Sequence, residues 1–449
     1  MRIHLIAIGG SAMHNFALAL DHLGHEVSGS DDQIFEPSRG RLDAAGLLPD
    51  SEGWDESRIT DDIDVIILGM HARIENPELL KAQSLGLKIE SYPSYLYKAT
   101  EDKTRIVVGG SHGKTTITSM LLHAMKNSGI KTDFMVGAQL EGFNRMLERS
   151  KDSEFAVIEG DEYLSSPIDR RSKFLHYRPH IAIITGIAWD HINVFPTKES
   201  YLDTFREFID TIERNGTLMY FQEDKKLCNL VYEFKEKRTD ISYIPYSTPH
   251  STPGKTSNKI EFKDGTLLET QLVGAHNYQN LEGAKSVCNE IGISSTEFIS
   301  SIKGFKGAAK RLEVINEREG FIAFRDFAHA PSKLKATQAG VVGSFPNRKV
   351  TAVFELHTFS SLNKDFLPQY KNSMNRVDKA IVFYDPKVLE HKRLPAISPE
   401  EVKNAFKRED LEVITSVEEL SSRLKEIPSE NHCVLLMSSG RFGGAELCF

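Results

Sequence analysis

The sequence predicts an α/β protein of three consecutive α/β domains, and three observations predict it. The chain has 449 residues, more than one hydrophobic core accommodates and enough for about three domains of roughly 150 residues. Short runs of Ile, Val and Leu alternate with helical patterns along its length, the mark of parallel sheets flanked by helices. One of those runs, residues 105–108, empties into a glycine-rich turn that opens a helix, the layout of a phosphate-binding loop.

The elements follow in order. Residues 3–8 read as a strand, Gly9-Gly10 as its turn, and residues 16–23 as a helix stopped at Gly24, with further strands at 25–28 and 63–68. A strand, a Gly-Gly turn, a helix, and Ser30-Asp31 closing the next strand make a Rossmann-type nucleotide site. The stretch Gly9-Gly-Ser-Ala-Met-His14 lacks the third glycine of the dinucleotide fingerprint, so no nicotinamide cofactor is expected. A second domain begins with the strand at 106 and continues through strands at 155–158 and 181–185 and a helix at 199–212. The polar stretch 247–258 reads as a surface excursion. A third domain starts near Val314, with strands at 350–354, 380–383 and 434–437 and helices at 400–406 and 417–424. The divisions are therefore 1–103, 104–313 and 314–449.

Composition narrows the function. A hydrophobic content of 40% and a charged content of 26% describe an ordinary globular protein. A net charge of −8 argues against nucleic acid as the main partner, because phosphate backbones demand basic surfaces. Cys228, Cys288, Cys433 and Cys448 are widely spaced and form no Cys-x-x-Cys unit, so neither a disulfide framework nor a zinc site is expected, and a reducing cytoplasm is. No apolar run approaches the ~20 residues that cross a membrane. Residues 1–8 are too short and too soon broken by glycine for a signal peptide.

The chemistry starts at Gly109-Gly-Ser-His-Gly-Lys-Thr-Thr116. Backbone N–H groups there cradle phosphates, Lys114 counters their charge, and the Thr115 hydroxyl reaches Mg²⁺; the strict pattern has Gly where this chain has Val108. Glu159-Gly-Asp-Glu162 directly follows a strand, where a Mg²⁺ ligand belongs, although a solvated acidic turn has the same look. His191, in Trp189-Asp-His-Ile-Asn193, is a metal ligand, a phosphate contact or a packed residue. Asn277 and Asn280 open a helix and either cap it or read a base edge. Lys310-Arg-Leu-Glu313 and Asp326-Phe-Ala-His-Ala-Pro331 complete the set.

In this order, the blocks resemble the Mur ligase family, ATP-dependent amide-forming enzymes of peptidoglycan synthesis, over essentially the whole chain. The resemblance implies a Rossmann-like UDP-binding domain, a P-loop ATP-binding domain and a Rossmann-like C-terminal domain for the peptide. It implies catalytic roles for Lys114, Glu159 and His191, and Mg²⁺ held by Thr115, Glu159 and His191. ATP falls to Ser111, His112, Gly113, Lys114, Thr115, Thr116, Asn277, Asn280, Arg311, Asp326 and, more weakly, His329. Gly9, Gly10, Ser11, Ala12 and Met13 face the UDP pyrophosphate, with Ser30 and Asp31 toward the uridine. Asp169 and Arg170 contact the muramyl side, or else form a surface ion pair.

Within the family, residues 29–37, 169–179 and 190–196 are most similar to the branch that recycles murein peptide. That branch joins the lactyl carboxylate of UDP-N-acetylmuramate to the amine of L-Ala-γ-D-Glu-meso-diaminopimelate through an acyl phosphate. The alternative acceptor is L-alanine, as in peptidoglycan biosynthesis. Departures from the family pattern are Ser111 for Thr, Gly186 for Asn, Ala330 for a second His, and residues 354–361 in place of a Phe-Glu-Pro-Arg segment. The expected partners are thus ATP, UDP-N-acetylmuramate and a murein tripeptide, with no nucleic acid and no membrane, in a monomer or weak homodimer.

Overall fold

Among the described residues, buried apolar runs that end at glycine turns build four sheets, and the C-terminal ends of the parallel strands carry the residues of interest. The computed structural model describes residues 1–136, 147–148, 152–189, 194–252, 254, 257–307 and 311–449. These fall into two compact units, one of residues 1–187, 198–247 and 283–302, the other of residues 188–197, 248–282 and 303–449.

Among the described residues the first unit holds two sheets, one wholly parallel and one parallel but for an edge strand. Strands β1 (Arg2–Ile6), β2 (Glu26–Ser30), β3 (Val65–Leu68) and β4 (Ile89–Ser91) pair in the order β2-β1-β3-β4. Ile6 lies opposite both Ser30 and Leu68, which brings the turn after β1 beside the end of β2. Every residue of β3 is fully buried, as in strands covered by helices on both faces. The helices Pro77–Ser84 and Tyr92–Ala99 start where Asn76 and Ser91 cap them and Pro enters the first turn.

The larger sheet contains β5 (Thr104–Gly109), β6 (Thr132–Met135), β7 (Leu147–Glu148), β8 (Phe155–Glu159), β9 (Ile181–Ile184), β10 (Thr217–Phe221) and β11 (Ser242–Tyr246), in the order β11-β10-β9-β5-β8-β6-β7. All its pairings are parallel except β6 with β7. Strand β5 is central, so the loop at its C-terminal end is flanked by the ends of β8 and β9, where ligands bind in open α/β sheets. The helix Lys114–Asn127 leaves that loop and buries Ile117, Met120, Leu121 and Met125 against the sheet.

The second unit opens with an antiparallel sheet of β12 (His250–Thr252), β13 (Asn258–Glu261) and β14 (Leu267–Thr270). The polar stretch 247–258 is therefore not merely a surface excursion, because its residues 250–252 form β12 and its last residue, Asn258, opens β13. Its apolar complement, Ile260, Phe262 and Leu268, is buried but lies further along the chain. The last sheet has β15 (Glu313–Arg318), β16 (Phe321–Asp326), β17 (Lys349–Glu355), β18 (Lys379–Phe383), β19 (Glu412–Ile414) and β20 (His432–Met437), ordered β15-β16-β20-β17-β18-β19. Only β15 is antiparallel. One face buries Phe354, Tyr370 and Phe406, the other Phe383, Leu420 and Leu436. Among the described residues no helix is long and apolar enough to cross a membrane.

Candidate active site

The phosphate loop takes its shape from two glycines. Gly110 has φ 123°, and a Cβ there would run into Thr185; Gly113, at φ 79°, starts the helix. The loop is tied to the end of β9: Ser111 N–H donates to the Gly186 carbonyl at 2.9 Å, and the Thr185 hydroxyl donates to the His112 carbonyl. Ser111 Oγ and Tyr201 Oη share a hydrogen bond of 2.8 Å, and Tyr201 Oη donates to Glu162 Oε1 at 3.1 Å. Thr116 is buried beneath the loop.

Lys114 Nζ donates to the Gly110 carbonyl at 2.7 Å and to Glu162 Oε2 at 2.5 Å. Burial pulls its pKa down, but Glu162, Asp161 and Glu159 outweigh that and raise it, so the ammonium stays charged. Thr115 Oγ1 donates to Glu159 Oε1 at 2.6 Å. A hydroxyl and a carboxylate adjacent at a phosphate loop are the hard oxygen donors Mg²⁺ takes, so the residues present fit that ion. His191, the third expected ligand, lies outside the described residues. Among the described residues no three His, Cys, Asp or Glu side chains gather as a ready metal site.

The turn after β1 is the second focus. Ala7 holds a left-handed φ of 69°, so that both its N–H and that of Ile8 donate to the Ser30 carbonyl at 2.9 Å. Gly9 N–H donates to Asp31 Oδ2 at 2.8 Å, and a Cβ on Gly9 would come within 2.9 Å of that oxygen. Gly10 precedes the helix Ser11–His22, and the N-terminal turn of a helix, here Ser11, Ala12 and Met13, is the end that favours an anion. Burial pushes the Asp31 carboxyl up to about 7 against the opposing Gly9 N–H. Ser30, expected toward the uridine, turns its hydroxyl inward onto the buried Glu78, so its carbonyl rather than its side chain serves the turn.

Asp169 makes a two-point ion pair with Arg171, at 3.0 Å from Nε and 2.7 Å from Nη2, and lies 3.3 Å from His176 Nε2. Arg170 points into solvent and does not share that pair. Two residues the sequence analysis did not assign stand closer to the loop. Glu162 holds Lys114, and its place in the acidic turn was the available signal. Lys173, within the stretch 169–179, donates to Asp161 Oδ2 at 2.6 Å.

In the second unit, the end of β16 gathers Arg311, Asp326 and His329. Asp326 is buried and holds its own loop, accepting from Leu312 N–H at 2.9 Å, Ala328 N–H at 2.8 Å and Thr337 Oγ1 at 3.2 Å. Leu312 pays for that contact with a φ of 49°, beside Arg311, whose guanidinium lies 5.0 Å over the Phe327 ring. The Tyr370 hydroxyl donates to the His329 carbonyl at 2.5 Å. Asn277 and Asn280 lie three apart at the start of the helix Ala275–Glu290, both buried, and Asn277 Nδ2 donates to the Val273 carbonyl at 2.8 Å. At the end of β17, the buried Glu355 accepts from the Ser438 hydroxyl and from Phe442 N–H.

Three family descriptions match the chain in sequence: "Mur ligase family, catalytic domain" over residues 2–104, "Mur ligase middle domain" over 108–288, and "Mur ligase, glutamate ligase domain" over 310–440. Curated relatives include the UDP-N-acetylmuramate–L-alanine ligase of Caldicellulosiruptor saccharolyticus, 29% identical over 98% of this chain and 96% of that protein. The enzyme of the same name from Caldicellulosiruptor bescii is 32% identical over 84% of this chain and 82% of that protein. Two solved structures share the fold. The UDP-N-acetylmuramate–alanine ligase of Thermotoga maritima superposes with TM-score 0.73 at 20% identity, covering 98% and 96% of the two chains. A murein peptide ligase from Psychrobacter arcticus superposes with TM-score 0.70 at 23% identity, covering 99% and 97%.

Proposed function

The chain belongs to the Mur ligase family of ATP-dependent carbon–nitrogen ligases, and from that premise we propose that it joins the lactyl carboxylate of UDP-N-acetylmuramate to an amine through an acyl phosphate. The observation that carries this reading is the pairing of Lys114 with Glu162 and of Thr115 with Glu159 at the ends of adjacent parallel strands. The same division into 1–103, 104–313 and 314–449 is kept, supported by sheets that begin at Arg2, Thr104 and Glu313.

The chemistry follows from charge. A carboxylate is a poor electrophile, so ATP converts it to an acyl phosphate, which the amine attacks with loss of phosphate. Bringing a carboxylate onto the γ-phosphate sets anion against anion, and fixed positive charge has to offset it. Lys114, held charged by Glu162 and aimed by the Gly110 carbonyl, stabilises the transferring phosphoryl group. Loop N–H groups from Ser111 to Thr116 hold the phosphates in line. Thr115 and Glu159, with His191, would hold Mg²⁺, which when bound neutralises phosphate charge. Arg311, Asp326, His329, Asn277 and Asn280 are assigned to the nucleoside end of ATP. The turn at Gly9–Met13 holds the diphosphate of the sugar nucleotide. All four cysteines are free thiols, in keeping with a cytoplasmic enzyme.

For the acceptor we propose L-alanine, the amine in the names of the curated relatives at 29% and 32% identity. This reverses the order of the sequence analysis, which put the tripeptide first. The tripeptide stands as the second reading, favoured by the likeness of residues 169–179 to the recycling branch. Mass detection of the UDP-linked product, with the two acceptors offered together, separates them. Product carrying alanine supports the first reading, and product carrying the tripeptide replaces it with the second.

A further inference from the structure

Lys173 is placed where the proposed reaction needs a cation, yet nothing above assigns it. It heads the short helix Lys173–His176 in the first unit, anchored by the fully buried Phe174, whose ring stacks 4.4 Å from Phe208. Its backbone is fastened on both sides: Lys173 N–H donates to the Tyr163 carbonyl at 2.9 Å, and Phe174 N–H to the Asp161 carbonyl at 3.1 Å. The side chain is 12% exposed and donates to Asp161 Oδ2 at 2.6 Å, with the Tyr92 and Tyr163 rings 5.6 and 5.7 Å away. Burial pulls its pKa down, but Asp161 outweighs that and raises it, so the ammonium is charged.

Its two sides face the two substrates. On one side Asp161 adjoins Glu162, which holds Lys114 at the phosphate loop. On the other side lies the helix after β4, through Tyr92, together with His71. Partial desolvation and then the charge of Lys173 hold His71 below its ordinary value, and a Cβ on Gly10 would lie 3.8 Å from His71 Cδ2. Lys173 therefore stands between the Gly9–Gly10 turn and the carboxylates of Lys114.

The substrate chemistry selects a group for that position. A sugar nucleotide with its diphosphate at the Gly turn and its reacting carboxylate at the γ-phosphate must pass that carboxylate between the two. An ammonium has three N–H donors, and Asp161 takes one. The Asp161 side chain is 35% exposed, and a half-buried ion pair of this kind adds little stability, so a role in recognition explains the cation better than stability does. We propose that Lys173 binds the lactyl carboxylate of the sugar nucleotide and stabilises the charge that builds as it meets the γ-phosphate, an inference that rests on the donor proposed above.

The test is calorimetric titration of the full chain with UDP-N-acetylmuramate and with UDP-N-acetylglucosamine, which lacks the lactyl carboxylate. The wild type binds the muramate at least about tenfold more tightly, the scale of one hydrogen bond to a charged group. Lys173→Gln abolishes that preference, while its affinities for UDP-N-acetylglucosamine and ATP hold, and Lys173→Arg restores most of it. Equal weakening of both sugar nucleotides in Lys173→Gln, or an intact preference there, overturns the inference. Should Lys173→Gln not fold, Lys173→Met takes its place: loss of the preference there, with UDP-N-acetylglucosamine affinity unchanged, supports the inference, and a Lys173→Met protein that keeps the preference overturns it. Wild type that binds neither nucleotide refutes the donor reading itself.

Discussion

Thr115 Oγ1 donates to Glu159 Oε1 at 2.6 Å, joining the helix after β5 to the end of β8. The parallel register produces this contact, since Val108 lies opposite Glu159 and the loop turns back over it one residue later. The contact puts a hydroxyl and a carboxylate side by side at the phosphate loop, the pair we propose as divalent-cation ligands.

Glu159→Gln keeps the shape but removes the charge. We expect turnover to fall by about 10²-fold or more and the Mg²⁺ concentration for half-maximal rate to rise. A magnesium titration of phosphate release checks this, and an unchanged Mg²⁺ requirement would detach Glu159 from the ion.

Lys114→Ala removes the fixed charge on the loop and takes the ammonium away from the buried Glu162. Turnover should drop at least ~10²-fold, the scale for one preorganised donor. Near-normal turnover would show that the loop takes no part in catalysis.

Gly110→Ala places a Cβ against Thr185 at a backbone angle that disfavours any side chain. The expected cost is about 1–3 kcal/mol of stability with weaker ATP binding. Gly343→Ala, in a helix with open space around it, is the comparison and should leave both intact. Thermal melts with and without ATP distinguish them, and equal melts for the two variants would contradict the loop geometry.

Asp31 gives a pH dependence with a definite sign. Its carboxyl titrates near 3.8 when exposed and is pushed up to about 7 in the fold, mainly by burial. The folded state therefore holds that proton more tightly, so the stabilisation is complete below about pH 4 and is lost as pH rises through about 7. Wild type should lose melting temperature across that window relative to Asp31→Asn. A gap between them that does not change with pH would contradict the burial of the Asp31 carboxyl.

Much of the architecture was legible because its signals are local. The run before Gly109 and the helix after Lys114 each announce themselves within a few residues, and so do the strands that end at Glu159 and Asp326. Roles set by pairing between distant segments were not legible. Asp31 reaches Gly9 only because Ile6 pairs with Ser30, and the same register turns the Ser30 hydroxyl away from the turn and onto Glu78. Asp169 chooses Arg171 over Arg170 through the loop's own folding. The strands β12 and β13 hid because the polar stretch 247–258 supplies all of β12 and, in Asn258, a buried polar residue of β13, while the apolar Ile260 that marks the buried face of β13 lies outside it.

The central claim is that the lactyl carboxylate attacks the γ-phosphate of ATP. Supplying UDP-N-acetylmuramate labelled with heavy oxygen in that carboxylate, and weighing the phosphate released, tests it most directly. One labelled oxygen is expected in each phosphate formed, the other staying in the amide; unlabelled phosphate, with the departing labelled oxygen found in AMP or water instead, would contradict it.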